Sequence, residues 1–421
     1  QYLPDLMEKE AEVFGNRTVS GFLSQVGAEE SMTSDQVVWS EQGRLHLSYN
    51  CVVTTASSGL VTIGTDIDGN AAAGAHGLRV GDTVIISKNG VTMQGYVSVE
   101  DTGGTATNIT VLPYKAAAMS TYFSDSDAAT IMVYGSEFGK GTVGQTKANE
   151  PQFKSFVNKP IIIKDYFQVN GSDASQIGWV EVSGEDGQNG YLWYLKAEGD
   201  TRSRFADYLE MSMVESVKAT PGTSVINTAL GTATTATDLA GSEGLFAAIE
   251  DRGNETSGVT GVNASTDLAE FDAILAEFDS QGAIEENMMF VNRSTSLAMD
   301  DMLASMNSYG AGGTSYGVFN NSEDMALNLG FSGFRRGSYD FYKSDWKYLN
   351  DASTRGAIND RDTTNAIRGV IAPAGVSSVY DQQLGKNLKR PFLHVRYRAS
   401  QTDDRRMKTW VTGSVGAATS A

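Results

Sequence analysis

Two glycine-rich segments carry the residue types of a cofactor site and of a catalytic site. The first, residues 139–144, reads GKGTVG and matches G-x-G-x-x-G, whose glycines let the backbone approach a dinucleotide pyrophosphate. The pyrophosphate also needs a helix N-terminus directly after the glycines. Asn149 and Pro151 stand where that helix would have to run. We therefore predict a flexible loop here and no bound cofactor.

The second segment, residues 313–317, reads GTSYG and matches the G-x-S-x-G pattern of a serine nucleophile. Such a nucleophile needs a strand before the serine and a helix after it, which the flanking SYGAGG and GVF do not predict. The three histidines, His46, His76 and His394, are not near a matching acid in the sequence. We predict no catalytic residues and a protein that is not an enzyme.

Metal-binding patterns are incomplete. Residues 66–70, DIDGN, have two early carboxylates of a calcium loop, but the glycine and the distal glutamate do not fall at the required spacing. This segment therefore predicts a hairpin turn. The single cysteine, Cys51, lies in the apolar run LHLSYNCVV, which predicts a small buried side chain and excludes an internal disulfide. One cysteine and scattered histidines predict no zinc site.

Composition and charge exclude two broad classes. The 421 residues include 45 glycines and 7 prolines, and the formal net charge is −19. A nucleic-acid-binding surface needs a basic patch that releases counterions, and so strong an acidic balance argues against one. The sequence has no apolar run of about 18 residues, so it predicts no membrane span.

The first part of the chain predicts β-structure. Residues 50–135 contain short β-branched runs separated by turn signals such as DGN, KNG and TGGT, which predicts a small barrel or sandwich. A strand signal, VVWSEQ, precedes this block. In residues 136–175 the runs FKSFV and IIIKDYFQV predict a long two-stranded loop, and a lone hairpin of this kind needs neighbours to be stable.

The second part of the chain contains the longest helical signal, residues 188–219. Apolar or long side chains recur in it every three or four residues, and Pro221 and Gly222 end the pattern. The stripe comprises Leu195, Arg202, Phe205, Leu209, Met213 and Val217. The helix would span roughly 45 Å. Gly199 interrupts it, and the alternative is a break there with a second helix capped by Asp200 or Thr201.

A mixed α/β region and a closing strand pair follow. DLAEFDAILAEFDSQG, at residues 267–282, predicts an amphipathic helix, with Phe271 and Phe278 among its apolar positions and carboxylates opposite. The segments RPFLHVRYRA and RRMKTWVTGS near the C-terminus predict a hairpin across TDD.

This order of parts resembles the major capsid proteins of tailed bacteriophages, which have the Hong Kong 97-like fold. The similar segments are GLRVGDTVIISKNGVTMQGYVSV, NITVLPY, the run Pro151-Gln152-Phe153 leading to KPIIIKDYFQVNGSD, and LWYLKAEGDTRSRFADYLEMSM. Within the family, the chain is most similar in character to short-tailed phages with an inserted β domain, such as crAss-like phages.

The resemblance implies an α+β fold in named parts. An N-terminal arm (1–36) precedes a strand (37–49) that leads into an extended loop carrying a β-rich insertion domain. The remaining parts are the insertion domain (50–135), the extended loop (136–175), a peripheral domain with the long spine helix (176–219 and 381–421) and an axial domain (220–380).

The resemblance also implies a function. The chain would assemble as hexamers and pentamers into an icosahedral head that encloses double-stranded DNA without sequence-specific binding. Its partners would be other copies of itself, a portal, and decoration or head-fibre proteins, with no membrane. It would reside in the virion after assembly in the bacterial cytoplasm.

Candidate inter-subunit contacts follow from the same resemblance. We expect lysines of the extended loop to meet an acidic neighbour, either the helix within residues 267–286 or the polar face of the long helix. The candidates are Lys154, Lys159, Lys164, Asp200, Arg204 and Glu210. Two alternatives remain open: an encapsulin-like nanocompartment shell, and a β-rich virion accessory protein or adhesin that binds carbohydrate.

Overall fold

The protein is a mixed α+β chain that includes a six-stranded closed barrel, as seen in a computed structural model. The structure describes residues 28–42, 44–72, 76–100, 107–145, 147–148, 153–169, 181–183, 189–220, 225–230, 239–256, 264–282, 284–308, 333–361, 366–374, 376–381, 386–391, 393–400, 402–403 and 405–410. The predicted N-terminal arm before residue 28 and the GTSYG motif lie outside these residues. None of the described helices has the length and hydrophobicity to cross a bilayer.

The described strands and helices are numbered in chain order. The strands are β1 Ala28–Met32, β2 Val37–Gln42, β3 Ser48–Thr55, β4 Leu60–Asp66, β5 Asp82–Lys88, β6 Val91–Glu100, β7 Asn108–Pro113, β8 Asp127–Ser136, β9 Phe153–Asn158, β10 Glu181–Ser183, β11 Asn189–Tyr191, β12 Glu286–Val291, β13 Gly333–Arg336, β14 Tyr339–Asp345, β15 Gly369–Pro373, β16 Val376–Asp381, β17 Lys386–Pro391 and β18 His394–Arg398. The helices are α1 Leu192–Glu215, α2 Val225–Leu230, α3 Leu245–Arg252, α4 Ala264–Gln281, α5 Arg293–Ser308 and α6 Arg355–Arg361.

The chain divides into two compact units, one inserted into the other. Val38–Val157 forms one unit, and Gln1–Val37 together with Asn158–Ala421 forms the other. In sequence, the unit Val38–Val157 is therefore inserted between two parts of the other unit.

The inserted unit contains the barrel. Its strand order is β3-β4-β7-β6-β5-β8, closed, with every neighbouring pair antiparallel. Alternate residues of each strand point inward, as the period of two requires. Val53, Ile86 and Val111 are among the inward residues, and they form one apolar core with those of the other strands. Of the two folds predicted from residues 50–135, a small barrel or a sandwich, the chain forms the barrel.

Substitution of Val53 by alanine is expected to destabilise this barrel by about 2 kcal/mol, because it removes two buried methyl groups and leaves a cavity. Val53 is fully buried, whereas the adjacent Val52 on the same strand is 43% exposed. Val52→Ala is therefore the matched control, with an expected change within about 0.5 kcal/mol. Denaturant unfolding of both variants measures the difference. Equal losses would contradict the inward assignment of Val53.

Three smaller sequence predictions can be compared with the described barrel. Residues 66–70 form a turn, in which Asp66 Oδ1 accepts the backbone N–H of Asn70 at 2.7 Å. Residues 139–144 belong to no helix or strand, as predicted. Cys51 is buried, also as predicted, and burial raises the pKa of its thiol to about 12.

The strand pairing beside the barrel differs from the prediction. β9, which contains FKSFV, pairs with β2 in a separate two-stranded ribbon. Trp39 of β2 stacks on Phe156 of β9 with ring centroids 5.8 Å apart. The second predicted strand, IIIKDYFQV, has no regular secondary structure. The two-stranded ribbon is therefore formed by β2, which precedes the barrel in sequence, and β9, which follows it. The prediction had placed both strands within residues 136–175.

The long helix forms as one piece. α1 runs from Leu192 to Glu215 without a break at Gly199, and its 24 residues span about 36 Å. The helix ends six residues before Pro221. Directly after it, the backbone oxygen of Ser216 accepts a hydrogen bond from the Gly244 N–H at 2.7 Å, so this oxygen is bonded outside the helix. Only glycine fits at position 244, since a Cβ would come within 2.8 Å of Val214 O.

Among the side chains of α1 that the structure describes, from Ala197 onward, the fully buried ones lie outside the predicted stripe, whose Phe205, Leu209 and Met213 are partly buried. The buried ones are Val214 and Glu210, with Met211 packed in the same cluster as Val214, and Val217 is exposed beyond the helix. Glu215 anchors the C-terminal end of the helix, because it accepts hydrogen bonds from Tyr348 Oη at 2.5 Å and Arg355 Nη1 at 2.9 Å. The apolar periodicity predicted the helix correctly but misplaced the face near its C-terminal end.

A four-stranded sheet in the order β13-β14-β12-β15 organises the described part of the larger unit. β12 and β14 are parallel, and the other two pairs are antiparallel. The predicted amphipathic helix is α4, whose Phe271 is buried against Phe334 and Phe341, while Phe278 packs at the edge of that cluster.

The closing strands pair differently from the prediction. β18 is parallel to β1, with Ala28 opposite His394 and Met32 opposite Arg398. Residues 405–410 form no strand, so the predicted C-terminal hairpin across TDD is wrong for the described residues. β1 and β18 are separated by more than 360 residues in sequence, and no local pattern reports such a pairing.

Candidate inter-subunit surface

Residues 159–169 form an irregular segment that exposes large apolar side chains. None of its residues belongs to a helix or strand. Ile162 is 86% exposed and Tyr166 is 71% exposed, and Ile161 and Phe167 are exposed as well. Contiguous exposed apolar side chains are a feature of contact surfaces, so this segment is a candidate for one. We call residues 159–169 the exposed segment.

Asn158 fixes the start of the exposed segment. Its Nδ2 donates to the backbone oxygen of Glu243 at 3.0 Å, and its Oδ1 accepts the Glu243 N–H at 2.9 Å. The same Oδ1 accepts the hydroxyl of Ser242 at 3.1 Å and the Lys159 N–H at 2.9 Å. One amide side chain thereby sets where the chain leaves β9.

A second attachment joins the exposed segment to α1. Arg204 Nε donates to Asp165 Oδ2 at 3.3 Å. The backbone N–H of Tyr166 and then Arg204 hold the pKa of Asp165 below its ordinary value, so the pair stays charged near neutral pH. An exposed pair of this type contributes only about 0–1 kcal/mol. It orients the segment on the helix without covering its apolar side chains.

The structure places the six predicted contact residues in different settings. Lys164 and Asp200 are exposed, and Lys159 is partly exposed. Arg204 is exposed but already bonded to Asp165. Glu210 is 2% exposed, so it is not on the surface of this chain and we omit it from the contact surface. The side chain of Lys154 lies outside the described residues.

The contact between the exposed segment and α1 lies within one chain, so the predicted contacts between copies stay predictions. Within this chain the helix supplies the cation, Arg204, and the segment supplies the acid. The acidic helix α4, the other predicted neighbour, also uses carboxylates internally. Asp272 accepts Arg336 Nη2 at 2.7 Å, and Asp279 accepts the hydroxyl of Tyr339 at 2.6 Å.

The outer face of the barrel carries a tyrosine cluster that the sequence reasoning missed. Tyr114 donates its hydroxyl to Glu137 Oε2 at 2.5 Å, and this bond raises the pKa of Tyr114 to about 12. Tyr134 and Tyr96 are close enough to act electrostatically on Tyr114, and Tyr134 is exposed. The outward positions of β6 and β8, the two strands that flank β5, were the signal that could have found this cluster.

The described residues do not bring three or more His, Cys, Asp or Glu side chains together in a way that could hold a metal ion. What they do present is the exposed segment, in which Ile162 and Tyr166 are exposed while hydrogen bonds of Asn158 and Asp165 join it to its own chain.

Comparison with known proteins gives no further assignment, because no protein-family model and no curated protein matches the chain.

Proposed function

We propose that this chain is the major capsid protein of a tailed bacteriophage, with the Hong Kong 97-like fold. It assembles as hexamers and pentamers into an icosahedral shell around double-stranded DNA. The observation that carries the proposal is the exposed segment, whose apolar side chains are uncovered in a single chain although Asn158 and Asp165 fix its course. The function is structural and needs no catalytic residue, metal or cofactor.

Energetics favour a neighbouring copy as the cover for this segment. Holding one residue in a single conformation costs about 1–2 kcal/mol, and a free segment does not recover that. Burying a large apolar side chain returns about 1.5–3 kcal/mol. Ile162 and Tyr166 offer such side chains to a partner. A shell provides the same partner at every position, so one contact is repeated in each copy.

The chain order supports the same proposal. The barrel is inserted between β2 and β9, the exposed segment follows β9, and the long helix α1 comes next. This is the order that the resemblance implies for an extended loop with an insertion domain, followed by a spine helix. The 24-residue helix suits a wide, thin shell tile.

The net charge of the chain bears on how the shell would hold DNA. With a formal net charge of −19, the chain would enclose DNA in a closed shell and would not bind it over a broad basic surface. A portal, and decoration or head-fibre proteins on the insertion domain, complete the proposed set of partners in the virion.

A second candidate is a virion accessory protein or adhesin that binds carbohydrate, and the tyrosine cluster around Tyr114 is the observation that favours it. Aromatic faces with a nearby carboxylate such as Glu137 suit sugar rings and hydroxyls. A carbohydrate-binding function gives no role to the exposed segment, so we rank this candidate second. An encapsulin-like shell would share the assembly and differ in holding an enzyme in place of DNA.

Sedimentation of the purified chain tests the proposal. We expect large closed particles above a threshold concentration, and nuclease-protected DNA in particles recovered from infected cells. Particles that hold a protein cargo and no DNA would favour the nanocompartment. Only monomers or small oligomers under every assembly condition would contradict a shell protein.

A further inference from the structure

Four neighbouring strands of the barrel share an outward row of uncharged side chains. Tyr96 of β6 lies opposite Leu112 of β7 on one side and opposite Thr83 of β5 on the other. Thr83 in turn lies opposite Gly135 of β8, the residue after Tyr134. The residues that alternate with this row belong to the buried core, so the row itself faces outward.

A second outward row lies beside the first. Met132 of β8 is opposite Ile85 of β5, and Ile85 is opposite Gln94 of β6. The Tyr114 N–H, directly after β7, donates to Gln94 O at 3.1 Å. The stretches that make up the two rows contain no charged residue: they read TVI at 83–85, QGY at 94–96, TVL at 110–112 and MVY at 132–134. We call the large side chains of both rows the tyrosine face: Tyr96, Leu112, Tyr114, Met132 and Tyr134.

The tyrosine face is exposed and well ordered by its own contacts. Tyr134 is 51% exposed and Leu112 is 50% exposed. Thr83 points outward between them but is only 5% exposed, so the larger side chains around it form a continuous layer. The hydroxyl of Tyr114 is held by Glu137 Oε2 at 2.5 Å. Side chains that are already fixed lose little conformational freedom when a partner docks on them.

The exposed segment has matching chemistry. Its most exposed apolar side chains, Ile162 and Tyr166, lie on either side of Lys164 and Asp165. Asp165 is held by Arg204, and the flexible stem of Lys164 lets its ammonium group reach water at the edge of a contact. Docking of this segment on an uncharged face would therefore bury apolar side chains without burying an unpaired charge, which is the costly case.

We infer that the exposed segment of one copy docks on the tyrosine face of a second copy. The inference rests on the proposed shell function and names the surface that covers the segment. Each copy carries both surfaces once, so segments and faces are present in equal numbers in any assembly. The contact joins two different surfaces and is therefore heterologous. Heterologous contacts close into rings when their rotation allows it, and hexamers and pentamers are rings of this kind.

Photocross-linking from the exposed segment tests the contact. The full chain carries a photoreactive benzophenone amino acid in place of Ile162, and unlabelled and isotope-labelled copies are mixed before assembly. Mass spectrometry then shows whether a cross-link joins two copies. We expect cross-links between the segment of one copy and peptides that contain β6, β7 or β8 of another. Cross-links to a different part of a neighbouring copy, or only within one chain, would overturn the inference.

Leu112→Asp tests the tyrosine face by sedimentation of the full chain. We expect the threshold concentration for assembly to rise by about tenfold or more, because the new charge would be buried under the segment. The matched control is Val52→Asp, an outward position of β3 that is 43% exposed. We expect the control to shift the threshold less than about threefold, and thermal unfolding of the dissociated chains to be the same for both variants.

A chain that carries both Leu112→Asp and Ile162→Asp tests whether the two positions belong to one contact. Substitutions within one contact are not additive, because the first already removes what the second would disturb. We expect the shift in threshold for the double variant to be well below the product of the two single shifts. A shift equal to that product would contradict a contact between the two positions.

The outcomes separate this inference from the proposed function. If the wild-type chain never assembles, the shell function fails and the inference fails with it. If the wild type assembles and Leu112→Asp assembles like Val52→Asp, the inference alone is wrong. Binding of an oligosaccharide to the tyrosine face of assembled particles would overturn it too, because the face would then be open to solvent.

Discussion

Replacing Ile162 by aspartate is expected to raise the protein concentration needed for assembly by at least about tenfold, while the single chain keeps its fold. Ile162 is 86% exposed, so the substitution disturbs little within the chain. In an assembled shell the same position would be covered. Losing the burial of one isoleucine removes about 1.5–3 kcal/mol per contact, and a factor of ten corresponds to about 1.4 kcal/mol. A buried aspartate adds a desolvation penalty.

The matched control is Leu45→Asp, which introduces the same charge at a similarly exposed aliphatic position, 82%, in the barrel unit. Sedimentation gives the assembly threshold, and circular dichroism of the dissociated chains checks the fold. Ile162→Val should assemble at nearly the wild-type concentration. If Ile162→Asp and Leu45→Asp shift the threshold equally, the exposed segment is not a contact between copies.

Replacing Lys343 by methionine is expected to lower the free energy of unfolding of the larger unit by about 3–5 kcal/mol. The Lys343 side chain is 5% exposed and pairs with Asp300, which is 12% exposed. Its Nζ also donates to the backbone oxygen of Ser296 at 3.2 Å, which joins β14 to α5. Methionine keeps most of the volume but removes the Lys343 cation from the largely buried Asp300 carboxylate.

Hydrogen exchange measures this loss locally, in peptides that cover β12 and β14, with barrel peptides as an internal reference. Lys347→Met is the matched control, since Lys347 is exposed just beyond the same strand. The double variant Lys343→Met with Asp300→Leu should recover most of the stability, because no unpaired charge remains. A loss within about 0.5 kcal/mol for Lys343→Met would show that the pair is not a buried one.

Local sequence patterns predicted the secondary-structure elements that neighbouring residues determine. The barrel follows from β-branched runs with turn signals between them, and the core positions Val53 and Ile86 follow from the period of two. The helices α1 and α4 follow from apolar periodicity, and α1 tolerates Gly199 because one glycine costs only about 1 kcal/mol in a helix.

Pairings between distant segments were not predictable in the same way. β2 pairs with β9 across the whole barrel, and β1 pairs with β18 across nearly the whole chain. Each pairing is determined by tertiary structure, and the sequence of neither strand contains a periodic pattern that indicates its partner. IIIKDYFQV has the composition of a strand, but its predicted partner FKSFV is already paired with β2, so it remains an exposed segment.

The candidate surface was predicted in part. The extended loop stays a prediction, whereas Asp200, Arg204 and Lys164 are exposed as expected. Glu210 was misplaced because a charged residue was assigned to the polar face, whereas the chain buries it beside Val214. The apolar side chains Ile162 and Tyr166 were missed as contact residues, since they were interpreted as part of a strand.

Electron cryo-microscopy of the assembled protein tests the shell proposal most directly. We expect closed icosahedral particles built of hexamers and pentamers, with residues 159–169 of each copy lying over a neighbouring copy and Ile162 covered there. Small soluble oligomers under every assembly condition, or particles in which residues 159–169 contact only their own chain, would contradict it.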